Sequence, residues 1–513
     1  MRFTRSCGIL LHPTSLPGRY GIGDLGQAAY QFVDFLAASK QSLWQILPLG
    51  PTGYGDSPYQ CFSAFAGNPL LISPDRMVDA GYLPAKAVAD VPAFPAHTID
   101  YGWVIDYKNQ LFDQAFAHFQ KQGTAVQKTA YNQFCHENRA WLDDFALFMA
   151  LKKEYMHDNG GVWNTWPEPI AQREPEAIAR WSAEKADEIE RHKFLQFVFF
   201  EQWLALKTYA NDKGIQIVGD APIFVAYDSA DVWANPDLFY LNDDGSPKVI
   251  AGVPPDYFSE TGQRWGNPLY NWPQMKKNGY AWWISRLQAI FTQVDIVRLD
   301  HFRGFEAYWE IPAEEETAVV GQWVKGPGLD FFHAMQQKMG ELPIIAEDLG
   351  VITPEVEEMR DAFDFPGMKI LQFAFGGEKN SSFLPHTFIH NCVVYTGTHD
   401  NETTVGWYRN ASLAEQDHVR RYMASNGHDI AWDLIRLAFS SVADMAVIPL
   451  QDHMKLNNSA RMNFPGKASG YWQWRFTPEM LTGEIEMRLV ELTELYGRLP
   501  QTETTEAAGT DEP

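Results

Sequence analysis

The segment Asp295-Ile-Val-Arg-Leu-Asp300 is a short apolar run that begins and ends at an acidic residue. Two later segments share the acidic end: Pro343-Ile-Ile-Ala-Glu347-Asp348 and Val393-Val-Tyr-Thr-Gly-Thr-His-Asp400. Each pattern is typical of a buried parallel strand that stops at a carboxylate. Because the carboxyl ends of the strands of an α/β barrel converge on one face, we expect the acids at these three ends to share one cleft.

Eight short apolar or β-branched runs, bounded by Gly, Pro or Asp, predict eight strands. They lie at residues 8–12, 43–48, 215–219, 294–299, 343–347, 368–373, 392–396 and 445–449. Helical patterns lie between them, for example at 26–38, 194–212, 281–291, 328–340 and 429–440. The alternation favours a parallel sheet, and the number of strands predicts an α/β fold of the (β/α)8 TIM-barrel type.

The chain is too long for a bare barrel of about 250 residues. Wide separations between the second, third and fourth strands predict large, mainly helical insertions around the cleft, at about 76–205 and 227–290. Such loops at the carboxyl face set specificity. We expect a single catalytic domain over residues 1–500 and a disordered acidic tail over 501–513.

The net charge of −24 argues against a nucleic-acid partner and against anionic membrane surfaces. Four widely spaced cysteines form no CxxC pair, which argues against a zinc site or a disulfide framework and favours a reduced, cytoplasmic setting. The N-terminal apolar stretch is too short for a signal peptide, and no apolar run is long enough to span a membrane. No HxH, HExxH, DxDxDG or phosphate-loop pattern is present, so neither a metal site nor a nucleotide site is expected.

Three carboxylates in one cleft suit retaining glycoside chemistry, with a nucleophile, an acid and base, and an assisting group. Arg298 and Asp300 point to the same side of their strand, and the cation would lower the pKa of that carboxyl and keep it ionised. The apolar residues before Glu347 would instead raise the pKa of a general acid. A structural salt bridge and a solvated or helix-capping acid are the alternatives for these two motifs.

Further polar groups stand at strand ends. The segment Thr398-His-Asp-Asn-Glu402 combines a donor, carboxylates and an amide, which could satisfy vicinal sugar hydroxyls. An N-cap of the following helix is the alternative reading, and both could hold. Asp220 ends the third strand with another acid.

Three segments, in this order, resemble the motif set of the α-amylase clan. They are Arg298-Leu-Asp-His-Phe-Arg-Gly304, Ala346-Glu-Asp-Leu-Gly350 and Gly397-Thr-His-Asp-Asn401. Further segments resemble the 4-α-glucanotransferases of glycoside hydrolase family 77, called amylomaltases or disproportionating enzymes. These lie at residues 8–17, 53–59, 219–225, 252–268 and 461–466, and the resemblance extends from about residue 6 to 498.

The resemblance implies cofactor-independent transfer of α-1,4-glucan segments to the 4-hydroxyl of an acceptor sugar. Donors would be malto-oligosaccharides and α-1,4-glucans, and acceptors glucose or malto-oligosaccharides. Asp300 resembles the nucleophile, Glu347 the acid and base, and Asp400 the group that holds hydroxyls 2 and 3. The residues implied in substrate binding are Arg298, His399, Asp220, Tyr59, Ser57, His301, Gln263, Trp265, Tyr257, Phe258, Asp348 and Asn463.

Two pairs of aromatic residues have special roles in the resemblance. Tyr257 and Phe258 would lie on a loop that closes over the glucan and excludes water, which favours transfer over hydrolysis. Tyr54 and Tyr101 resemble a second, outer glucan site.

Competing functions make different predictions. An α-glucan hydrolase of the same clan would share all three acids, but would release only glucose and maltose from maltotriose. A non-catalytic glucan-binding barrel would be favoured by the loss of an acid, and none is lost. A phosphate-binding barrel would need a glycine-rich loop after strand seven or eight, where this chain has acids after strand seven.

Overall fold

In the computed structural model, which describes residues 3–255, 259–377, 381–467 and 469–500, eight parallel strands form one sheet that curves into a nearly closed barrel. In chain order the strands of the structure are β1 (Ser6–Leu10), β2 (Leu43–Gln45), β3 (Gln216–Pro222), β4 (Val249–Val253), β5 (Gln263–Pro268), β6 (Ile296–Asp300), β7 (Ala307–Pro312), β8 (Gln322–Lys325), β9 (Ile344–Ala346), β10 (Gly367–Ile370), β11 (Cys392–Tyr395) and β12 (Met445–Pro449). The barrel order is β10-β11-β12-β1-β2-β3-β6-β9, and these eight strands confirm the sequence prediction.

The register of the barrel brings the functional strand ends level with one another. Asp220 pairs with Arg298, and Pro222 pairs with Asp300, across β3 and β6. Between β9 and β10 the ring closes through a 2.9 Å hydrogen bond from the Ala346 N–H to the Pro366 carbonyl. Buried β-branched and other apolar residues fill β6, β11 and β12, as expected for strands covered on both faces.

Helices surround the barrel. The α-helices of the described residues are α1 (Gln27–Ala38), α2 (Pro74–Asp79), α3 (Tyr101–Gln122), α4 (Ala125–Glu154), α5 (Glu168–Ala171), α6 (Pro175–Glu184), α7 (Ala186–Asp212), α8 (Ala230–Ala234), α9 (Trp272–Lys277), α10 (Ala281–Gln293), α11 (Gly328–Met339), α12 (Pro354–Ala362), α13 (Thr404–Asn410), α14 (Leu413–Met423), α15 (Ile430–Ser440), α16 (Leu450–His453) and α17 (Gly483–Leu495). Each helix contacts the next in the order α15, α17, α1, α7, α10, α11, and these six form most of an outer ring. None of the helices in the described ranges is long and apolar enough to cross a membrane.

The two insertions differ in kind. The first, between β2 and β3, is helical, and its long helix α4 packs along α7. The second, between β3 and β6, also contains β4 and β5, which the sequence analysis did not predict. These pair with β7 and β8 in a four-stranded antiparallel sheet of order β5-β4-β7-β8 within the described part of the chain. β5 and β8 are short and partly or mostly exposed, so their apolar pattern is weak, and β7 and β8 lie beyond β6 in the sequence.

Two helices of the outer ring run past the predicted boundaries of the insertions. Helix α7 extends beyond residue 205, and α10 extends beyond residue 290. Both pack against β3, so both contribute to the helical layer around the barrel. The division into subdomains stays a prediction.

Candidate active site

Arg298 bridges two carboxylates at the ends of neighbouring strands. Its Nη1 lies 2.6 Å from Asp220 Oδ2, and its Nη2 lies 2.8 Å from Asp300 Oδ1. The Tyr59 hydroxyl donates to the same Asp220 oxygen at 2.7 Å. The Asp220 side chain has no exposed surface, whereas 30% of the Asp300 side chain is exposed. The two strand ends therefore bury the Asp220 carboxylate in the barrel wall and leave the Asp300 carboxylate partly exposed.

The electrostatic environment of Asp300 combines opposing effects. Burial raises the pKa of this carboxyl, and the negative charges of Asp220 and Asp400 raise it further. Arg298 lowers it, as expected for a nearby cation, but does not cancel the effect of burial. The expectation that Arg298 would hold this pKa below its ordinary value was wrong in its net direction, because sequence spacing does not reveal the depth of burial.

Glu347 follows β9 and is held by backbone groups. Its Oε2 accepts a 2.8 Å hydrogen bond from the His301 N–H, and its Oε1 accepts a 2.9 Å bond from the Leu349 N–H. Burial raises the pKa of Glu347, and the negative charge of Asp300 raises it further, while Arg298 and the two N–H groups lower it. The pKa of Glu347 is raised more than that of Asp300, so the pair favours an ionised Asp300 beside a protonated Glu347.

Asp400 lies in the turn after β11 and is fixed from the C-terminal part of the chain. Its Oδ1 accepts a 2.7 Å hydrogen bond from Asn463 Nδ2 and lies 3.3 Å from His399 Nε2. Arg461 donates to the Asp400 carbonyl at 2.6 Å. Because 44% of the Asp400 side chain remains exposed, its carboxylate is oriented and still accessible.

Aromatic rings join these groups. The Tyr59 ring stacks on His399 with 5.1 Å between centroids, and Trp472 lies 5.9 Å from Tyr59. On the other side of Asp300, Trp265 meets His301 edge to face at 4.8 Å. Tyr59 therefore connects Asp220, through its hydroxyl, with the His399–Asp400 pair, through its ring.

The remaining predicted residues lie beside this cluster. Trp265 and Gln263 lie on β5, where Trp265 Nε1 donates a 3.0 Å hydrogen bond to Gln263 Oε1. Gln263 is exposed and is the first residue of that strand. Ser57 Oγ accepts a 3.2 Å hydrogen bond from the Tyr59 N–H, so it shapes the turn that presents Tyr59. These positions are compatible with the predicted roles of the three residues at the cleft. Their contacts with substrate stay predictions.

The structure contradicts the prediction that Asp348 binds substrate. Its Oδ2 pairs with Arg360 Nη1 at 2.6 Å, and its Oδ1 accepts a 2.7 Å hydrogen bond from the Met368 N–H. Only 5% of its side chain is exposed. Both oxygens are engaged in joining β9, α12 and β10, so we leave Asp348 out of the substrate-binding set.

The structure also contradicts the prediction that Tyr101 belongs to an outer glucan site. An outer glucan site needs an exposed ring, but Tyr101 is 6% exposed and packs with Ile22, Ile99 and Val104. Its hydroxyl donates to the Trp472 carbonyl at 2.9 Å. The side chain of Tyr54 and the residues Tyr257 and Phe258 lie outside the described part of the structure.

Two residues that the sequence analysis did not assign belong to the site. Arg461 donates to the carbonyls of Asp400 and Asn463, and its position within the 461–466 motif could have suggested such a role. Trp472 packs against Tyr59 and His399. The chain has 18 tryptophans, and no local pattern in the sequence marks Trp472 as a site residue.

Comparisons with known proteins identify the family of the chain. The family model described as 4-alpha-glucanotransferase (Glyco_hydro_77) matches residues 11–482. A 4-alpha-glucanotransferase of Synechocystis sp. is 52% identical over 498 residues, covering 96% of this chain and 98% of that protein. One from Thermus thermophilus is 50% identical over 508 residues, covering 97% of this chain and 100% of that protein.

A solved structure is similar over nearly the whole chain. The amylomaltase from Streptococcus agalactiae in complex with acarbose superposes with a TM-score of 0.93 at 40% identity, covering 96% of this chain and 99% of that chain. The barrel, the acids at its strand ends and these relatives lead to one conclusion: the chain belongs to the 4-α-glucanotransferase family, glycoside hydrolase family 77.

Proposed function

We propose that this 4-α-glucanotransferase works by a retaining double displacement in which Asp300 is the nucleophile and Glu347 is the acid and base. The observation that carries the proposal is the contact between the two strand ends, where the residue after Asp300 donates its N–H to Glu347. This contact places a partly exposed carboxylate with a lower pKa next to a buried carboxyl with a higher pKa. Retaining enzymes use this division of labour.

In the first step, Asp300 attacks C1 of a glucose unit while Glu347 gives its proton to the glycosidic oxygen. The C1–O bond breaks, an ester bond forms between C1 and Asp300, and the leaving segment departs with a free 4-hydroxyl. In the second step, Glu347 takes the proton of an acceptor 4-hydroxyl, whose oxygen bonds to C1 as the ester breaks. Two inversions at C1 restore the α configuration.

Neighbouring groups orient the reacting pair. Arg298 binds both Asp300 and Asp220. It stabilises the Asp300 carboxylate that forms again when the ester breaks. Asp400, oriented by Asn463 and accessible from the cleft, would accept hydrogen bonds from the vicinal hydroxyls of the distorted ring. Such bonds, if they tighten in the transition state, raise kcat rather than ground-state affinity.

The substrates we propose are malto-oligosaccharides and α-1,4-glucans as donors, and glucose or malto-oligosaccharides as acceptors. The names of the relatives support transfer to a 4-hydroxyl of an α-glucan, and one similar amylomaltase was solved with acarbose bound. Incubation with maltotriose should yield glucose together with oligomers longer than maltotriose. Glucose and maltose alone would indicate hydrolysis instead.

Trapping the intermediate tests the mechanism directly. A 5-fluoro α-glucosyl fluoride should lose fluoride and leave its sugar on the Asp300 carboxylate, because the ring fluorine slows breakdown of the ester. Peptide mass spectrometry should then find the added mass on the peptide that contains Asp300. The Asp300→Asn variant is the matched control and should remain unlabelled. A label on another acid in the wild-type enzyme would overturn the assignment of the nucleophile.

A further inference from the structure

Asp452 is a buried carboxylate that the proposed reaction does not use. It lies in α16, immediately after the barrel strand β12, and is 1% exposed. Its Oδ2 accepts hydrogen bonds from the hydroxyls of Thr396 at 2.6 Å and Thr404 at 2.7 Å. Its Oδ1 accepts a 2.7 Å bond from the Thr404 N–H. Three donors thus compensate a carboxylate removed from water.

The two threonines bracket the catalytic turn. Thr396 directly follows β11, and Thr404 is the first residue of α13. His399 and Asp400 lie in the loop between them, which we call the 396–404 loop. Because a single oxygen of Asp452 receives both hydroxyls, that atom sets the separation of the two ends of the loop and ties them to the end of β12.

A small pocket lies beside this loop. A cavity of about 30 Å³ is lined by His399, Thr403 and Asp452, together with Arg461 and Met462. A side chain that borders such a space has fewer van der Waals contacts to hold it. Hydrogen bonds to Thr396 and Thr404 therefore contribute to the positioning of the loop together with packing.

We propose that Asp452 is a positioning residue for glucan transfer, which fixes the 396–404 loop so that Asp400 meets the sugar bound at Asp300. The inference rests on the proposed role of Asp400. Its physical basis is that reacting groups must be held closely, since a displacement of about 1 Å can cost about a hundredfold in rate. The effect acts on the transition state through Asp400, so it concerns kcat more than KM.

The test compares two substitutions at Asp452 by initial rates on maltotriose. Asp452→Ala removes the acceptor for all three donors, and kcat should fall about 10- to 100-fold with KM changed by less than about threefold. Asp452→Asn keeps the shape: its oxygen can accept from the Thr404 N–H, and its amide can donate to the threonine hydroxyls. This variant should recover most of kcat.

Asp295 provides a matched control at the opposite end of the barrel. Its Oδ2 accepts hydrogen bonds from the Ile217 N–H at 2.7 Å and from Asn211 Nδ2 at 2.8 Å, so it also joins separate elements. Asp295→Ala should lower the melting temperature and leave kcat unchanged at temperatures where the protein is folded. If Asp452→Ala behaves in the same way, Asp452 is only a structural residue and the inference is wrong.

Two further variants keep the inference testable if Asp452→Ala does not fold. Thr396→Val and Thr404→Val each remove one hydroxyl at nearly constant volume, and each should lower kcat severalfold; wild-type kcat in both would overturn the inference. Asp400→Asn separates this outcome from the proposed function. Full activity in that variant would contradict the role of Asp400 itself, whereas an inactive Asp400→Asn beside a fully active Asp452→Ala would contradict only the role of Asp452.

Discussion

The backbone N–H of His301 donates a 2.8 Å hydrogen bond to Glu347 Oε2, across 46 residues of sequence. His301 is the residue after Asp300, and it adopts a left-handed conformation with φ of 55°. Such a conformation is unfavourable for a residue with a side chain and persists where the surroundings impose it. The turn that ends the nucleophile strand therefore also holds the acid, and the two carboxyl groups are positioned as a unit.

The first prediction concerns the two acids. Asp300→Asn and Glu347→Gln preserve shape but remove the nucleophile and the proton donor. Each should lower the rate of transfer from maltotriose by at least about 10²- to 10⁴-fold, the range expected for loss of a positioned acid or base. Melting temperatures should change little, because both changes leave the volume of the site unaltered. Near-normal turnover in either variant would remove the mechanism proposed above.

The second prediction concerns geometry and stereochemistry. A crystal structure should place the carboxyl groups of Asp300 and Glu347 about 5–5.5 Å apart, the separation of retaining enzymes. The linkage formed in the first transfer product should have the α configuration, which proton NMR distinguishes from the β configuration. A separation of about 7 Å or more, with a β product, would indicate inversion through a water molecule.

The third prediction concerns pH. Asp300 must be ionised, so kcat/KM should fall as the pH drops through its pKa, which burial places above the ordinary value of about 3.9. Glu347 must be protonated, so kcat/KM should fall again as the pH rises through its pKa, which burial raises to about 8. The profile of kcat/KM on maltotriose should therefore be bell-shaped. A rate that stays constant well above that pH would contradict the role of Glu347 as acid.

The fourth prediction concerns Arg298. Arg298→Met leaves the fully buried Asp220 carboxylate without its cation, which should cost about 3–5 kcal/mol of unfolding free energy. Arg298→Lys retains the charge but not the fork that reaches two carboxylates. It should therefore be more stable than the Met variant and still poorly active. Denaturant unfolding and initial rates on the same samples measure both effects, and a fully active Lys variant would show that the bridge is unnecessary.

The fifth prediction follows from the burial of Tyr101. Tyr101→Phe removes the hydrogen bond to the Trp472 carbonyl and should cost about 0.5–1.5 kcal/mol of stability. Binding of amylose, measured by affinity electrophoresis, should be unchanged, because the ring is not on the surface. Weaker amylose binding with unchanged stability would restore Tyr101 to an outer glucan site.

Local sequence determined the barrel and the identity of its strand-end acids. A strand buried on both faces must be a continuous apolar run, and a carboxylate that interrupts such a run marks its end. Asp300 and Glu347 could be identified in this way because each depends only on the few residues before it. The (β/α)8 fold was predicted correctly for the same reason, since each βα unit carries its own signal.

Contacts between distant segments decided the rest. The direction in which Asp348 points depends on Arg360 and Met368, and the hydrogen bond that holds the Tyr101 hydroxyl is accepted by the carbonyl of Trp472, 371 residues away. The antiparallel sheet needs strands from both sides of β6, and no local pattern encodes that pairing. The net pKa shift of Asp300 also needed the structure, because sequence reveals the neighbouring Arg298 but not the loss of water around the carboxylate. Proximity along the chain shows which charges can meet, whereas only the packed fold determines how much solvent remains to oppose them.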